Sequence, residues 1–308
     1  SWSSFEIENL PVGEQQTAKA QHLYSLFAEV IAESRKIAPN HLFTIVNGDI
    51  QYLNLIAQYG KDWDMLGTNA YRGATFTELW KDVKAGLDLP VIFFEFGSDA
   101  FNARDVEEAQ YAQAEYLKGQ WEDMYNNSYG RGYGNSIGGF VFEWRDEWWK
   151  YNVEAEADLD RHNVNASWVN GGYKFDHVEG QNNMNEEWFG ITRLGKANSD
   201  GVYTAEPRMA YDVLAQIWDI DPYTYKKTAI NQAFNDIDMD YLALKSDVRM
   251  LKSDNKESKE IVRLSGGRIE TKMILQGYEE DISKDGEEGL DFQPTPDEIV
   301  HLYRAKWK

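Results

Sequence analysis

The chain has 308 residues and carries 52 acidic against 31 basic side chains, a formal net charge of -21 at pH 7. This charge repels the phosphates of nucleic acids and of anionic membranes, which excludes both as main partners. The sequence contains no cysteine, so disulfides, thiolate metal sites and cysteine nucleophiles are excluded as well. No segment approaches the roughly 20 consecutive apolar residues of a membrane helix.

The aromatic residues are numerous and unevenly spread. Ten of the eleven tryptophans lie within the first 230 residues. Two interpretations remain open: aromatic packing in a core, which composition alone favours, or stacking platforms for sugar rings. The first residues, Ser1 to Ser4, have neither a charged nor an apolar leader. We therefore expect that a signal was removed or that the chain starts inside a longer protein.

Helices and strands alternate along the first part of the chain. Apolar spacing predicts a long first helix, which Pro39 ends. The predicted elements in order are a helix over 13–37, a strand over 41–46, a helix over 50–59, a strand over 64–70, a helix over 75–86, a strand over 90–96, a helix over 104–126, a strand over 137–144, an irregular segment over 145–206 and a helix over 207–218 with Pro207 in its first turn. The strands are apolar runs without alternation, which is typical of a parallel sheet covered on both faces.

Polar and aromatic residues follow each predicted strand. They are Asn47 and Asp49, Asn69 and Tyr71, Glu95, and Trp144 with Asp146. In a parallel α/β fold these strand ends open on one face, where ligands bind. No glycine-rich phosphate loop follows a strand, so the pattern favours a (β/α)8 TIM barrel over a doubly wound sheet. Only four strands are counted, which predicts the C-terminal half of a barrel, strands 5–8, over residues 1–230.

The composition changes near residue 230. Of the last 78 residues, 29 are charged. We predict a charged α/β tail over 231–308, with a helix over 236–257 and strand-like segments over 259–276 and 298–308. The tail is a candidate for contact with a larger assembly.

The most informative local feature is Glu95, near the end of the apolar run that begins at Leu89. A carboxylate in such a position is expected to have a partner or a function, because burying an unpaired charge is energetically unfavourable. One interpretation is a structural glutamate that pairs with an arginine or caps a loop. The other is a carboxylate nucleophile at the mouth of the barrel.

Three motifs, in this order along the chain, resemble the second half of the catalytic barrel of retaining glycoside hydrolases. They are the tyrosine motif at 67–73, the glutamate motif at 94–97 and the last-strand motif at 138–150. The chain resembles the family 2-like group most, and the same motifs resemble those of β-glucanosyltransferases of the same clan. The resemblance covers roughly residues 1 to 222. It implies that Glu95 is the nucleophile and that Tyr71 donates a hydrogen bond to it. A retaining enzyme needs a second carboxylate about 5–5.5 Å from the first.

The resemblance also implies a set of sugar-binding residues. They are Asn69, Arg72, Trp144, Asp146 or Arg145, Trp148 and Trp149. In the family the acid/base glutamate lies in an Asn-Glu pair after strand four, and no such pair occurs between Ser1 and Pro11. We expect the acid/base to lie upstream of this chain, with Glu6 or Glu8 as poor substitutes. Glu143 is expected to be a substrate-binding or structural group.

No metal or other cofactor is expected. A cluster in the irregular segment offers oxygen ligands for Ca²⁺, but such clusters are more often turn formers. Its members are Asp158, Asp160, His162, Asn163 and Asn165. The five histidines lack zinc-ligand spacing, and no Gly-x-Ser-x-Gly elbow indicates a serine hydrolase.

Two functions follow from these residues. The first is a carbohydrate-active enzyme on an oligo- or polysaccharide, extracellular, periplasmic or at the cell surface, that hydrolyses or transfers glycosyl groups. The second is a non-catalytic sugar-binding or structural scaffold at the cell surface. For both we expect the missing N-terminal barrel half in the same or another chain. Residues 1–308 alone are expected to be inactive and unstable, because half a barrel leaves strand edges uncovered.

Overall fold

The computed structural model describes residues 5–102, 107–147, 185–197, 199–223, 226–253, 260–265 and 268–274. The chain forms two compact units, residues 1–237 and 238–308. The boundary predicted at 230/231 falls inside a helix, Lys227–Asn235, of the first unit. No described helix combines the length and apolar character that crossing a bilayer requires.

The first unit alternates helices with strands. In chain order its elements are α1 (Phe5–Glu8), α2 (Val12–Ile37), β1 (Val46–Gly48), α3 (Leu53–Tyr59), β2 (Leu66–Asn69), α4 (Leu79–Gly86), β3 (Val91–Phe96), β4 (Phe101–Asn102), β5 (Glu107–Glu108), α5 (Gln110–Asn126), β6 (Ser136–Val141), a 3₁₀ turn (Glu186–Trp188), β7 (Thr192–Ala197), β8 (Tyr203–Pro207), α6 (Met209–Trp218) and α7 (Lys227–Asn235).

Four of these strands form a parallel sheet in the order β1-β2-β3-β6. Each strand therefore lies beside the previous strand of the sheet, and α3, α4 and α5 connect successive strands. This confirms the prediction of an α/β fold with a parallel sheet. The pairs β4–β5 and β7–β8 are separate antiparallel ladders.

Several predicted boundaries differ from those of the structure, and three of the differences have identifiable causes. Over 41–46 only Val46 belongs to a strand; before it, Asp64 Oδ2 accepts the backbone N–H of Phe43 at 2.6 Å, so a side chain replaces the ladder bond there. The helix predicted from 104 begins at Gln110, because β5 first pairs with β4. Pro207 ends β8 rather than opening α6, and the preceding segment contains the β7–β8 hairpin.

An aromatic cluster packs against one face of the sheet. Phe93 of β3 is fully buried and stacks on Phe76 with ring centroids 3.9 Å apart, and Trp80 of α4 meets Phe93 edge-on at 5.4 Å. Trp80 Nε1 donates to Asp123 Oδ2 of α5 at 2.9 Å, which ties the two helices together. For these residues the core interpretation of the aromatic excess is the right one.

Apolar side chains are exposed on strands of the same sheet. Phe94 is 37% exposed and Phe140 59%, and their ring centroids lie 6.0 Å apart. Val46 and Ile137, on the outer strands β1 and β6, are each 48% exposed. The prediction of a sheet covered on both faces is therefore wrong for this chain, because β3 changes from buried Phe93 to exposed Phe94.

The second unit contains α8 (Met239–Ser253) and an antiparallel hairpin of β9 (Glu260–Ser265) and β10 (Arg268–Ile274). The helix predicted over 236–257 thus includes α8. The strand-like segment predicted over 259–276 is a hairpin, and the one predicted over 298–308 lies outside the described residues.

Candidate functional site

Glu95 and Tyr71 meet at the carboxyl ends of neighbouring parallel strands. Glu95 is the next-to-last residue of β3, and Tyr71 follows β2. The Tyr71 hydroxyl donates to Glu95 Oε2 at 3.0 Å. The backbone N–H of Ala70 donates to the Glu95 carbonyl at 3.1 Å, which fixes the two strand ends beside each other. The structure thus brings together the two residues that the sequence singled out for catalysis.

Tyr71 is held in place by two aromatic rings. Phe142 and Phe189 meet its ring edge-on, with centroids 6.4 and 5.5 Å from that of Tyr71. Burial, followed by the charge of Glu95, raises the pKa of the Tyr71 hydroxyl above its ordinary value. The phenol therefore stays protonated at neutral pH and acts as a hydrogen-bond donor to Glu95.

Two further carboxylates lie close enough to Tyr71 to affect its ionisation. After burial and Glu95, the charges of Glu186 and Glu143 also raise the pKa of Tyr71. The backbone N–H of Glu143 donates to the Phe189 carbonyl at 3.2 Å, so its main chain lies beside a ring that packs on Tyr71. Glu186 opens the 3₁₀ turn. Glu186 lies inside the segment over 145–206 that was predicted to be irregular, and no role was predicted for it from the sequence.

Gly97 allows the ends of β3 and β6 to approach each other closely. A Cβ at this position would lie 2.0 Å from the backbone oxygen of Phe142 and 3.1 Å from Phe189 Cδ1. Phe142 also donates its backbone N–H to the Phe96 carbonyl at 2.7 Å. The position of Phe142 against Tyr71 therefore requires a glycine at 97.

We expect Gly97→Ala in the full-length natural protein to lower the free energy of unfolding by about 1–3 kcal/mol, because the added methyl forces the backbone of Phe142 away. Denaturant-induced unfolding measures this loss. Gly48→Ala is the matched control at another strand end, since a Cβ there meets nothing within 4 Å. Equal losses in both variants would show that the close approach at Gly97 has no special role.

Arg72 was predicted to bind substrate, but its guanidinium is held by protein groups. Nε donates to Asp49 Oδ2 at 2.9 Å, and Nη2 donates to the other oxygen of the same carboxylate. Nη1 donates to the Phe76 carbonyl and to Thr77 Oγ1, both at 3.1 Å. Arg72 thus links the loops that follow β1 and β2 and fixes the loop that begins at Tyr71, while its contact with substrate stays a prediction.

Asp146 was predicted to bind sugar hydroxyls, but it is completely buried and forms an ion pair with Arg208. Nη1 and Nη2 of Arg208 donate to its two carboxylate oxygens, with Nη2–Oδ2 at 2.7 Å. Nε of Arg208 donates to Glu108 Oε1 at 2.6 Å. Burial alone would lower the pKa of Arg208, but the two carboxylates outweigh it and raise that pKa. The prediction for Asp146 is therefore corrected to a structural role.

Two more residues were predicted to bind sugar, and that role stays a prediction for both. Asn69 pairs with Glu95 in the ladder between β2 and β3; its Oδ1 is buried, and among the described residues it accepts no hydrogen bond. Trp144 is 60% exposed and meets the ring of Tyr211 edge-on, with centroids 5.9 Å apart. A hydroxyl acceptor and an exposed aromatic face are the two kinds of group that bind sugars.

The other residues predicted after the last strand do not extend this set. Arg145 donates to the backbone oxygens of Tyr203 and Thr204, both at 3.0 Å. Trp148 and Trp149 lie outside the described residues.

Sequence reasoning missed two buried glutamines on α5. Gln113 and Gln120 are both fully buried. Gln113 Nε2 donates to the backbone oxygens of Ser98 at 3.1 Å, Phe189 at 3.3 Å and Gly190 at 3.1 Å. The available signal was their spacing of seven residues, which places two amides on one face of a helix.

Within the described part of the chain, histidines and carboxylates form no group of three or more that could hold a metal ion. The Ca²⁺ ligand set considered from the sequence, Asp158 to Asn165, lies outside the described residues.

No protein-family profile matches the chain, and no curated protein matches it either. Among solved structures it is similar to an exo-β-agarase, with a TM-score of 0.37 and 18% identity over 70% of this chain and 26% of that one. A second agarase, AgWH50C, gives a TM-score of 0.34 and 18% identity over 60% of this chain and 25% of that one.

A third similar structure is an active-site mutant of Rhizomucor miehei β-1,3-glucanosyltransferase in complex with laminaritriose. It gives a TM-score of 0.33 and 13% identity over 59% of this chain and 56% of that one. The chain thus spans about a quarter of the two agarases and just over half of the transferase. Similarities this low do not establish a family, and the narrower resemblance to family 2 stays a prediction.

Proposed function

We propose that this chain carries the nucleophile side of the active site of a retaining carbohydrate-active enzyme. The observation that supports it best is the hydrogen bond from a partly buried, protonated Tyr71 to Glu95 at adjoining parallel strand ends. A carboxylate that receives one phenolic hydrogen bond on Oε2 keeps its other oxygen for attack on an anomeric carbon.

The proposed chemistry follows the retaining mechanism. The Glu95 oxygen forms a bond to the anomeric carbon as the bond to the leaving oxygen breaks, and a second carboxylic acid protonates that oxygen. Water or an acceptor hydroxyl then takes the glycosyl group, with the second carboxylate removing its proton. We propose that this acid/base lies upstream of the chain, and that Asn69 and Trp144 contact the sugar. Water as acceptor gives hydrolysis, and a sugar hydroxyl gives transfer.

We further propose that the sheet is half of a (β/α)8 barrel. Support comes from the sequential order of four parallel strands and from the exposed Phe94 and Phe140, which an inward-facing barrel core would cover. Residues 1–308 expressed alone should then aggregate or unfold without cooperativity. A monodisperse segment with a cooperative melting transition would contradict the half-barrel.

Covalent trapping tests the nucleophile. The natural full-length protein is incubated with gluco- and galacto-configured 2-deoxy-2-fluoro-β-glycosyl fluorides, whose good leaving group reduces the need for the acid. We expect a stable glycosyl adduct that peptide mass spectrometry places on Glu95. An adduct on another carboxylate would refute the assignment. Sugar binding without any adduct, measured by calorimetry, would favour the non-catalytic scaffold.

We expect Tyr71→Phe to slow formation of this adduct by about 10- to 100-fold, because a hydrogen bond to a charged group contributes about 1.5–3 kcal/mol. The rate is followed by intact-protein mass spectrometry. Tyr125→Phe is the matched control, because its buried hydroxyl donates to the backbone oxygens of Ile217 at 3.3 Å and Ile220 at 2.8 Å, which lie beyond β8. Equal slowing in both variants would contradict a specific role for Tyr71.

A further inference from the structure

One buried amide nitrogen joins the two loops that carry Tyr71 and Glu95. Gln120 Nε2 donates to the Gly73 carbonyl at 2.8 Å and to the Gly97 carbonyl at 3.0 Å. Gly73 comes two residues after Tyr71, and Gly97 comes two residues after Glu95. Both N–H groups of the amide are used, so a single atom holds both loops.

The helix that carries Gln120 approaches the first loop closely. A Cβ at the neighbouring Gly119 would lie 2.7 Å from the Ala74 carbonyl oxygen and 3.1 Å from Ala74 Cβ. The Gln120 side chain is completely buried. It is therefore held by packing in one orientation, and it transmits the position of α5 to both loops.

The hydrogen bonds of Gln120 are all made through its nitrogen. Among the described residues, Oε1 accepts no hydrogen bond. Burying an acceptor without a partner is unfavourable, and an apolar side chain of the same length would avoid this penalty. The two donated bonds are therefore what the amide contributes at this position.

We infer that Gln120 is a positioning residue, which holds the Tyr71 loop and the Glu95 loop at the separation that their 3.0 Å hydrogen bond requires. It acts through the carbonyls of Gly73 and Gly97. Its effect on catalysis rests on the proposed function, whereas its effect on the hydrogen bond between Tyr71 and Glu95 does not.

Gln120→Met in the full-length natural protein keeps the length of the side chain and removes both donors. We expect the rate constant for trapping of Glu95 by the 2-fluoroglycosyl fluoride to fall by about 10- to 100-fold, because the reacting groups are misplaced. The reagent concentration that gives half the maximal rate should stay unchanged, because no contact with the sugar is lost. Gln120→Asn keeps the amide on a shorter side chain, so its trapping rate constant should lie between those of the wild type and Gln120→Met.

Asn135→Leu is the matched control. Asn135 is buried, donates through Nδ2 to the Trp80 carbonyl at 3.0 Å, and directly precedes β6, so it lies at the other end of the sheet. We expect it to lower the melting temperature about as much as Gln120→Met does and to leave the trapping rate unchanged. A trapping rate in Gln120→Met equal to wild type, or an equal loss in Asn135→Leu, would overturn the inference.

A second measurement does not depend on any sugar. With ¹³C-labelled tyrosine, the Cζ resonance of Tyr71 is assigned by its loss in Tyr71→Phe. In Gln120→Met this resonance should move toward that of a tyrosine without a carboxylate partner, and in Asn135→Leu it should not move. If the wild type takes no label, the proposed function fails, and the Tyr71 resonance alone decides the inference: an unmoved signal overturns it and a moved one supports it.

Discussion

Glu95→Gln is expected to lower turnover of the natural glycan by roughly 10⁴-fold or more, because a neutral amide cannot supply the attacking carboxylate. The loss should appear in kcat, with KM changed little, since the two side chains have the same shape. Steady-state release of reducing sugar by the full-length natural protein measures it. Glu78→Gln, at an exposed position where Glu78 pairs with Lys81 at 2.9 Å, is the matched charge control and should keep full activity.

A smaller side chain distinguishes a nucleophile from a group that only binds substrate. In Glu95→Gly, added azide should restore cleavage of an activated aryl glycoside and give a glycosyl azide of inverted anomeric configuration, since the ion occupies the vacated space and attacks from the same side. Nuclear magnetic resonance assigns the anomer of the product. A glycosyl azide of retained configuration, or activity of Glu95→Gln close to wild type, would rule out Glu95 as nucleophile.

The position of this pair was accessible from the sequence because it depends on short-range rules. An apolar run places Glu95 at the end of a strand, a second run places Tyr71 after the neighbouring strand, and parallel strands bring their carboxyl ends together. The bond between the two side chains joins residues 24 apart. A single connecting helix and two strands therefore suffice to predict that they lie near each other.

The roles of Asp146 and Arg72 were not accessible in the same way, because each depends on a partner that strand periodicity does not place. Asp146 binds Arg208, 62 residues further along, and Arg72 binds Asp49, 23 residues earlier. From spacing alone, each looks like a polar group at a strand end. For Asp146, complete burial and the facing charge of Arg208 decide that it has a structural role instead.

The exposed face of the sheet was also not predictable from the spacing of residues along the chain. The run from Val91 to Phe96 contains no polar residue before Glu95, and an unbroken apolar run predicts burial on both sides. Within this chain Phe93 is buried by the helices while Phe94 stays exposed. The proposed covering half of the barrel would bury Phe94, and this is the burial on both sides that the apolar pattern predicts.

Loss of Arg208 should destabilise the first unit strongly. It is completely buried, its two Nη groups bind Asp146, and Nη1 also donates to the Gly190 carbonyl at 2.7 Å. Through these bonds it joins the start of α6 to the segment that follows β6. Its contact with Glu108 at 2.6 Å adds β5 to the same cluster.

Arg208→Met in the full-length natural protein should lower the free energy of unfolding by about 3–5 kcal/mol, because it removes the Arg208 cation from the buried Asp146 carboxylate. The melting temperature, measured by calorimetry, should fall accordingly. Arg35→Met is the control: Arg35 pairs with Asp64 at 2.8 Å, but their side chains are 31% and 27% exposed, so the loss should be about 1 kcal/mol or less.

The double variant Arg208→Met with Asp146→Asn separates charge from packing. An amide oxygen at 146 can still accept the Gly190 N–H, which Asp146 Oδ1 binds at 3.0 Å, while Gln113 Nε2 still donates to the Gly190 carbonyl at 3.1 Å. Glu108 keeps its ion pair with Arg193, whose Nη1 lies 3.5 Å from Glu108 Oε2. With the buried negative charge of Asp146 gone, the double variant should be more stable than Arg208→Met alone by at least about 1 kcal/mol. A double variant as unstable as the single one would mean that Arg208 acts through packing and its bond to Gly190 rather than by neutralising Asp146.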